Sequence, residues 1–367
     1  MLSWCIARGR FMPVCKLKII FVFVFSFFLV ATGCGLGSSG VGGTGVIPAT
    51  ESVYVTQEML FFGPSPASTI LQFSTTANGD GPPASTLTGL DFVTFNGLAV
   101  DANGNIYVGG LTNNTATSGG QPEIFVYGPE ESGTPTPKRT IIGPSTELDA
   151  FPSSPVISAL ALDNSGNIYV SAAELPVGSS QSYRSYAGIA IFSSTANGNA
   201  APTRVIAGSA TNIVGVQIAV DSAGNIYTTG GDGQEASILI FDSSANGNAP
   251  PTGTLAGSNT MIDDPTGVAL DSAGNIYVSN LSLIDATSSI LVFSAGSTGN
   301  VAPIRVISGS ATTMGAIGNL CLDSAGNIYI LNVINYLKFA PNATGNVAPI
   351  ATITSPGFSE AFSIAVQ

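Results

Sequence analysis

Five times along this chain of 367 residues an Asp is followed, at fixed spacing, by Gly-Asn-Ile-Tyr. The copies are Asp101 in GLAVDANGNIYVGG, Asp163 in LALDNSGNIYVSA, Asp221 in IAVDSAGNIYTTG, Asp271 in VALDSAGNIYVSN and Asp323 in LCLDSAGNIYILN. A carboxylate so placed has two chemistries open to it: calcium ligation, or acceptance of the N–H groups of the turn that follows. DSAGN lacks the alternating oxygen ligands of a calcium loop, so turn capping is the expected role. Recognition chemistry falls instead to residues outside the repeat. The candidate binding set is Asp91, Glu147, Asp149, Glu174, Tyr183, Arg184, Tyr186, Asp232, Asp263, Asp264 and Glu360. No catalytic residue is assigned. The chain has no His, which excludes a Ser-His-Asp triad, a His-held metal and a His general base. Cys321 lies inside an apolar run and reads as packing rather than as a nucleophile. No Gly-rich phosphate loop follows a strand and opens a helix. The expected cofactor set is therefore empty, save for a divalent cation such as calcium at acidic loops like Asp263-Asp264 or Glu147/Asp149.

The repeat itself is a hairpin, two alternating strands joined by a turn whose Gly takes positive φ. Two further strand signals separate successive copies. One ends in an aromatic, as in ILIF (Ile238–Phe241) and ILVF (Ile290–Phe293); the other follows a Pro, as in TRVIAG (Thr203–Gly208) and IRVISG (Ile304–Gly309). The unit is thus four strands, a to d, and repeated four-stranded sheets read as propeller blades. The chain ends set the number of blades. SVYVT (Ser52–Thr56) matches strand b, and SIAVQ (Ser363–Gln367) matches strand a. The expectation is an all-β, six-bladed propeller of four-stranded antiparallel blades. The ring closes by joining N-terminal strands b, c and d to a C-terminal strand a.

Residues 1–33 read as a secretory signal. Arg8, Arg10, Lys16 and Lys18 precede an apolar run from Ile19 to Val30 that is shorter than the roughly 20 residues of a membrane span. Met12 offers a second start with more usual signal proportions. Ala31-Thr32-Gly33-Cys34 resembles a bacterial lipobox, which implies lipidation at Cys34. Residues 34–52 form a Gly/Ser-rich tether, and 53–367 the propeller. Beyond the signal, six Lys and Arg face 22 Asp and Glu, a net charge of −16. Such a surface disfavours nucleic acid. The expected state is a monomer at the bacterial cell envelope, touching the membrane through its lipid anchor alone.

The repeats from Val53 to Gln367 resemble the NHL-type six-bladed propellers of the TolB-like superfamily. That resemblance is specific for fold and poor for function, since such propellers include enzymes, binding modules and scaffolds. The missing His separates this chain from propellers similar to virginiamycin lyase. Gluconolactonase-like propellers hold a metal through Glu, Asn and Asp in the channel, whereas the a strands here carry no acid before the turn Asp. The favoured expectation is a binding or scaffold module that meets a protein, peptide or glycan through its variable b–c and d–a connections. The alternative is a metal-dependent lactonase or esterase of the gluconolactonase-like type.

Overall fold

The computed structural model describes residues 51–58, 68–90, 92–112, 121–129, 131–148, 155–174, 187–231, 235–282, 287–332, 334–354 and 360–367. The signal, Cys34 and nearly all of the tether lie outside these residues. What is described is almost entirely sheet. The only helical pieces among the described residues are two 3-10 turns, Pro144–Thr146 and Ser310–Thr312.

Six four-stranded antiparallel blades make up the molecule. Blade 1 joins the chain ends: Glu360–Val366 is strand a, and Ser52–Glu58, Ser68–Ser74 and Ser85–Leu90 are b, c and d. Blade 2 runs Phe92–Val100, Ile106–Thr112, Gln121–Tyr127 and Arg139–Ile141. Blade 3 runs Pro155–Leu162, Ile168–Glu174, Gly188–Phe192 and Arg204–Ala207. Blade 4 is Ile213–Val220, Ile226–Gly231, Ala236–Phe241 and Gly253–Leu255. Blade 5 is Asp264–Leu270, Ile276–Leu281, Ser288–Phe293 and Arg305–Ser308. Blade 6 is Ile317–Leu322, Ile328–Asn332, Asn335–Phe339 and Ala351–Thr354. Each a strand touches the a strands of both neighbouring blades, and that of blade 1 touches those of blades 6 and 2.

Strand periodicity explains why blades stack. Alternate side chains leave opposite faces of a sheet, so each blade offers one apolar face to each neighbour. Between blades 1 and 2, Tyr54, Ile70 and Ala365 pack with Leu98, Val100 and Val108. The other face of blade 2, through Ala99, Tyr107 and Ile124, packs with Ile157, Leu160 and Val170 of blade 3. The same pattern recurs at the remaining four interfaces. The core is thus distributed as one cluster per interface, with each repeat Tyr contributing to one. Each buried large side chain stabilises by roughly 1.5–3 kcal/mol.

The c–d turn does more than connect two strands. Its Gly docks as a parallel bridge on strand d of the preceding blade: Gly133 on Leu87, Gly198 on Ile141, Gly247 on Ile206, Gly299 on Leu255 and Gly345 on Ile307. Gly79 does the same on Ile353. Both backbone groups of Gly198 are used, its N–H donating to Thr140 (2.6 Å) and its carbonyl accepting from Ile142 (3.0 Å). These six glycines all have φ between 60 and 80°, a conformation that disfavours any side chain. The following Asn extends the latch, Asn199, Asn248, Asn300 and Asn346 each accepting an N–H from the preceding blade at 2.7 Å. Every outer strand edge is thereby covered by its neighbour, which blunts edge-to-edge association.

Candidate functional site

The propeller has two ends with different chemistry. The a–b and c–d turns form one end, called here the turn side. The b–c and d–a connections leave from the other, the rim.

On the turn side the repeat Asp is fully engaged. Asp163 Oδ1 accepts the N–H groups of Ser165 (2.8 Å) and Asn167 (2.9 Å). Its Oδ2 accepts from Asn167 Nδ2 (2.8 Å) and from the Tyr169 hydroxyl (3.2 Å). Asp101, Asp271 and Asp323 make the same set with Asn and Tyr at the same spacing. Turn capping is therefore the observed role. The Tyr links this cap to the next blade. Tyr107 and Tyr277 accept from Arg139 (3.1 Å) and Arg305 (2.7 Å). Those guanidiniums also donate to carbonyls of the following c–d turn, Arg139 to Ser194 and Ala196, and Arg305 to Pro341 and Ala343. Lys338 stands 5.0 Å above the Tyr329 ring and 3.8 Å from Asp323. Burial, reinforced by the neighbouring Asp163 carboxylate, pushes the Tyr169 hydroxyl up to about 12. An open groove of about 380 Å³ lies on this side between blades 5 and 6, bounded by Tyr277, Arg305, Ser324 and Pro341.

The rim carries a second repeated device that the hairpin motif does not announce. After strand d the chain reads Gly-x-x-Thr at Gly143, Gly208, Gly257 and Gly309. In each, the Thr hydroxyl donates back to the Gly carbonyl at 2.6–2.8 Å. The residue after each Thr then adopts positive φ: Glu147 (56°), Asn212 (54°), Met261 (63°) and Thr313 (56°). All four are exposed. Asn tolerates this conformation, but Glu, Met and above all the β-branched Thr do not adopt it freely. A constant turn therefore presents a different side chain in the left-handed conformation in each of four blades, and three of the four are strained there. Repeated G-x-x-T in the sequence is the signal that would have located these positions.

Of the candidate set, Glu147 sits at the first of these exposed corners. Asp263 and Asp264 lie together where the chain enters strand a of blade 5. The Asp263 N–H donates to Asn280 Oδ1 (2.8 Å), and Asn280 Nδ2 donates to the Met261 carbonyl (3.1 Å). Burial, and then the charge of Asp263, raise the Asp264 carboxyl above its ordinary value. Glu174 and Glu360 are strand ends rather than loop residues. Asp91, Asp149, Tyr183, Arg184, Tyr186 and Asp232 lie outside the described residues. Among the described residues no three His, Cys, Asp or Glu side chains come together as metal ligands. Cys321 is fully buried between blades 6 and 1, beside Tyr329 and Tyr336, as packing requires.

Near the rim end of the a strands the apolar run is broken by buried polar residues. In every blade the a–b ladder shifts register there. Thr266 donates to the Gly318 carbonyl of the next blade (3.1 Å), and Asn319 to that of Ile364 (3.2 Å). Gln217, fully buried in the same register, finds no partner among the described residues for its Oε1 or its Nε2. A buried polar group left so costs about 1–3 kcal/mol.

A family profile described as Beta-propeller repeat (SBBP) matches residues 92–115, the inner hairpin of blade 2. No curated protein matches the chain. Among solved structures it is similar to a Bacteroides caccae protein of unknown function, with a TM-score of 0.56, 11% identity, and coverage of 87% of this chain and 99% of that one. It is also similar to a Lactobacillus plantarum protein (TM-score 0.48, 12% identity, 86% and 99% covered). A gluconolactonase from Xanthomonas campestris scores 0.41 at 12% identity, with 79% and 82% covered. Only the first likeness is strong enough to speak for the fold, and none speaks for function.

Proposed function

We propose that this chain is an exported, lipid-anchored propeller that acts as a binding or scaffold module at the bacterial cell envelope. Its partner, a protein, peptide or glycan, meets the rim. One observation carries this reading: the Gly-x-x-Thr turn holds Glu147, Asn212, Met261 and Thr313 exposed at positive φ, all but the Asn under strain, at one place in four successive d–a connections. Strain of this kind gathers at functional positions, and connections released from the repeat's packing are where recognition sits. On the turn side the repeat's carboxylates, guanidiniums and latch glycines are occupied by the scaffold itself.

Photo-crosslinking residues placed at 147, 212, 261 and 313, with a matched set at the a–b turns, test this reading in envelope preparations. Adducts from the rim set alone support it; adducts from the turn set alone overturn it. A second reading, the metal-dependent hydrolase, is favoured only by the half-buried Asp264 beside Asp263. Lactone or ester turnover with added divalent metal, lost in Asp263→Ala/Asp264→Ala, would establish that reading instead.

A further inference from the structure

We infer that the turn side, in the sector of blades 5 and 6, is the surface that this protein lays against the lipid bilayer. The inference rests on the proposed anchor at Cys34 and adds to it a membrane-contacting face.

The first observation is where the chain joins the ring. Glu51, the last residue before strand b of blade 1, is fixed on the turn side. Its carbonyl accepts from the Thr75 N–H (3.3 Å), and its carboxylate accepts both the N–H (3.3 Å) and the hydroxyl of Ser324 in the a–b turn of blade 6. Residues 35–50 separate Cys34 from this point. Sixteen residues of Gly-rich chain have a root-mean-square span of about 20–24 Å, and fully extended they reach only about 55 Å. A lipid at Cys34 therefore tethers the ring to the bilayer by its turn side, where Glu51 is held.

The second observation is independent of the tether. In all six blades the residue just before strand d donates its N–H to the same strand c position. These residues are Ala84 to Gln72, Lys138 to Val126, Thr203 to Ile191, Thr252 to Ile240, Ile304 to Val292 and Ile350 to Lys338. All six are exposed corners on the turn side. Only blades 5 and 6 place a large apolar residue there, and Ile304 and Ile350 are 56% and 54% exposed. Val301, 38% exposed, adds to the first of these corners. Water is an unfavourable medium for them, and no described residue covers them. Blade 6 holds Ser324 and blade 5 is its neighbour, so the apolar corners and the tether attachment fall in one sector. On the other flank of blade 1 the same position is Lys138, whose long stem lets its charge stay at a headgroup level while the stem follows apolar surface. A shallow apolar contact of this kind lies about 5–10 Å into the interface. The net charge of −16 selects zwitterionic rather than anionic lipid.

Tryptophan reporters test this directly, because Trp4 in the signal is the chain's only Trp. In a Trp4→Phe background, Ile350→Trp and Ile304→Trp report on the turn side and Met261→Trp on the rim. The processed full-length protein is bound to phosphatidylcholine vesicles with brominated acyl chains. The expected result is blue-shifted, strongly quenched emission from 350 and 304, with emission from 261 unchanged. Flotation with the vesicles but equal quenching at both ends overturns the membrane face while leaving the anchor standing. Absence of flotation removes the anchor and the inference with it. Dimer formation in detergent that Ile304→Asp/Ile350→Asp abolishes, without quenching on vesicles, assigns the surface to a second copy and likewise overturns the proposal.

Discussion

The two ends of the ring are built from the same repeat yet obey opposite rules. On the turn side blades 2, 3, 5 and 6 repeat one circuit, in which Asp caps the a–b turn, Asn and Tyr complete the cap, and Arg or Lys carries it to the next blade. At the rim the circuit stops. In four of its connections a short Gly-x-x-Thr turn recurs, and the residue that follows it is exposed and changes from blade to blade. Sameness marks the residues that the ring needs, and variation marks those that it does not. The Asp of the repeat, chemically the most conspicuous residue, thus belongs to the scaffold.

That contrast can be broken at several points, the severest being blade 1. Deleting Phe362–Gln367 removes most of its strand a. The lost burial of Ile364 and Val366 alone amounts to about 4 kcal/mol, and two interfaces are exposed besides. The thermal midpoint should fall sharply, and an unchanged midpoint would show that the C-terminal strand is dispensable. Next in size is Arg305→Ala. It leaves the Pro341 and Ala343 carbonyls without their donor, and charged hydrogen bonds of this kind are worth about 1.5–3 kcal/mol. Urea unfolding should register a loss in that range, to be compared with Lys138→Ala, which should register almost none.

Gly345→Ala isolates the latch. An added Cβ meets nothing within 4 Å, but φ is +71°, so the cost is conformational alone, about 1–2 kcal/mol. A loss no larger than that of an ordinary surface substitution would deny the latch its role. The mildest perturbation is alkali. Tyr169 has its hydroxyl raised from 10.0 to about 12 in the fold. The unfolded chain therefore releases this proton first, and stability is intact below pH 10 and declines as pH rises from 10 towards 12. Tyrosinate absorbance should lag a model tyrosine in the native ring, and Asp163→Asn should shrink that lag.

Much of the fold was legible because its information is local. Strand alternation, the Gly turn and the aromatic end of strand c each lie within a dozen residues, and their recurrence counts the blades. The latch was not legible. Gly198 reads as an ordinary turn glycine, and its partners Thr140 and Ile142 are more than fifty residues away. The contact between Glu51 and Ser324 joins residues 273 positions apart. Asp163 was legible in role because its acceptors and donors sit within six residues of it. Glu147 was picked out for its charge, whereas the backbone that displays it depends on Gly143 and Thr146, which carry none. Asp263 and Asp264 were legible as a pair, but Asn280, which positions them, comes from strand b.

The most direct test compares one carboxylate from each end. Asp323 accepts from the Asn327 backbone and side chain and from Tyr329, and stands beside Lys338. Glu147 projects from the rim. Calorimetric unfolding of Asp323→Ala and Glu147→Ala, run side by side, should show a loss of about 3 kcal/mol or more for the first and within about 0.5 kcal/mol of none for the second. Equal losses, or a larger one at Glu147, would contradict the division of the ring into a structural side and a displaying rim.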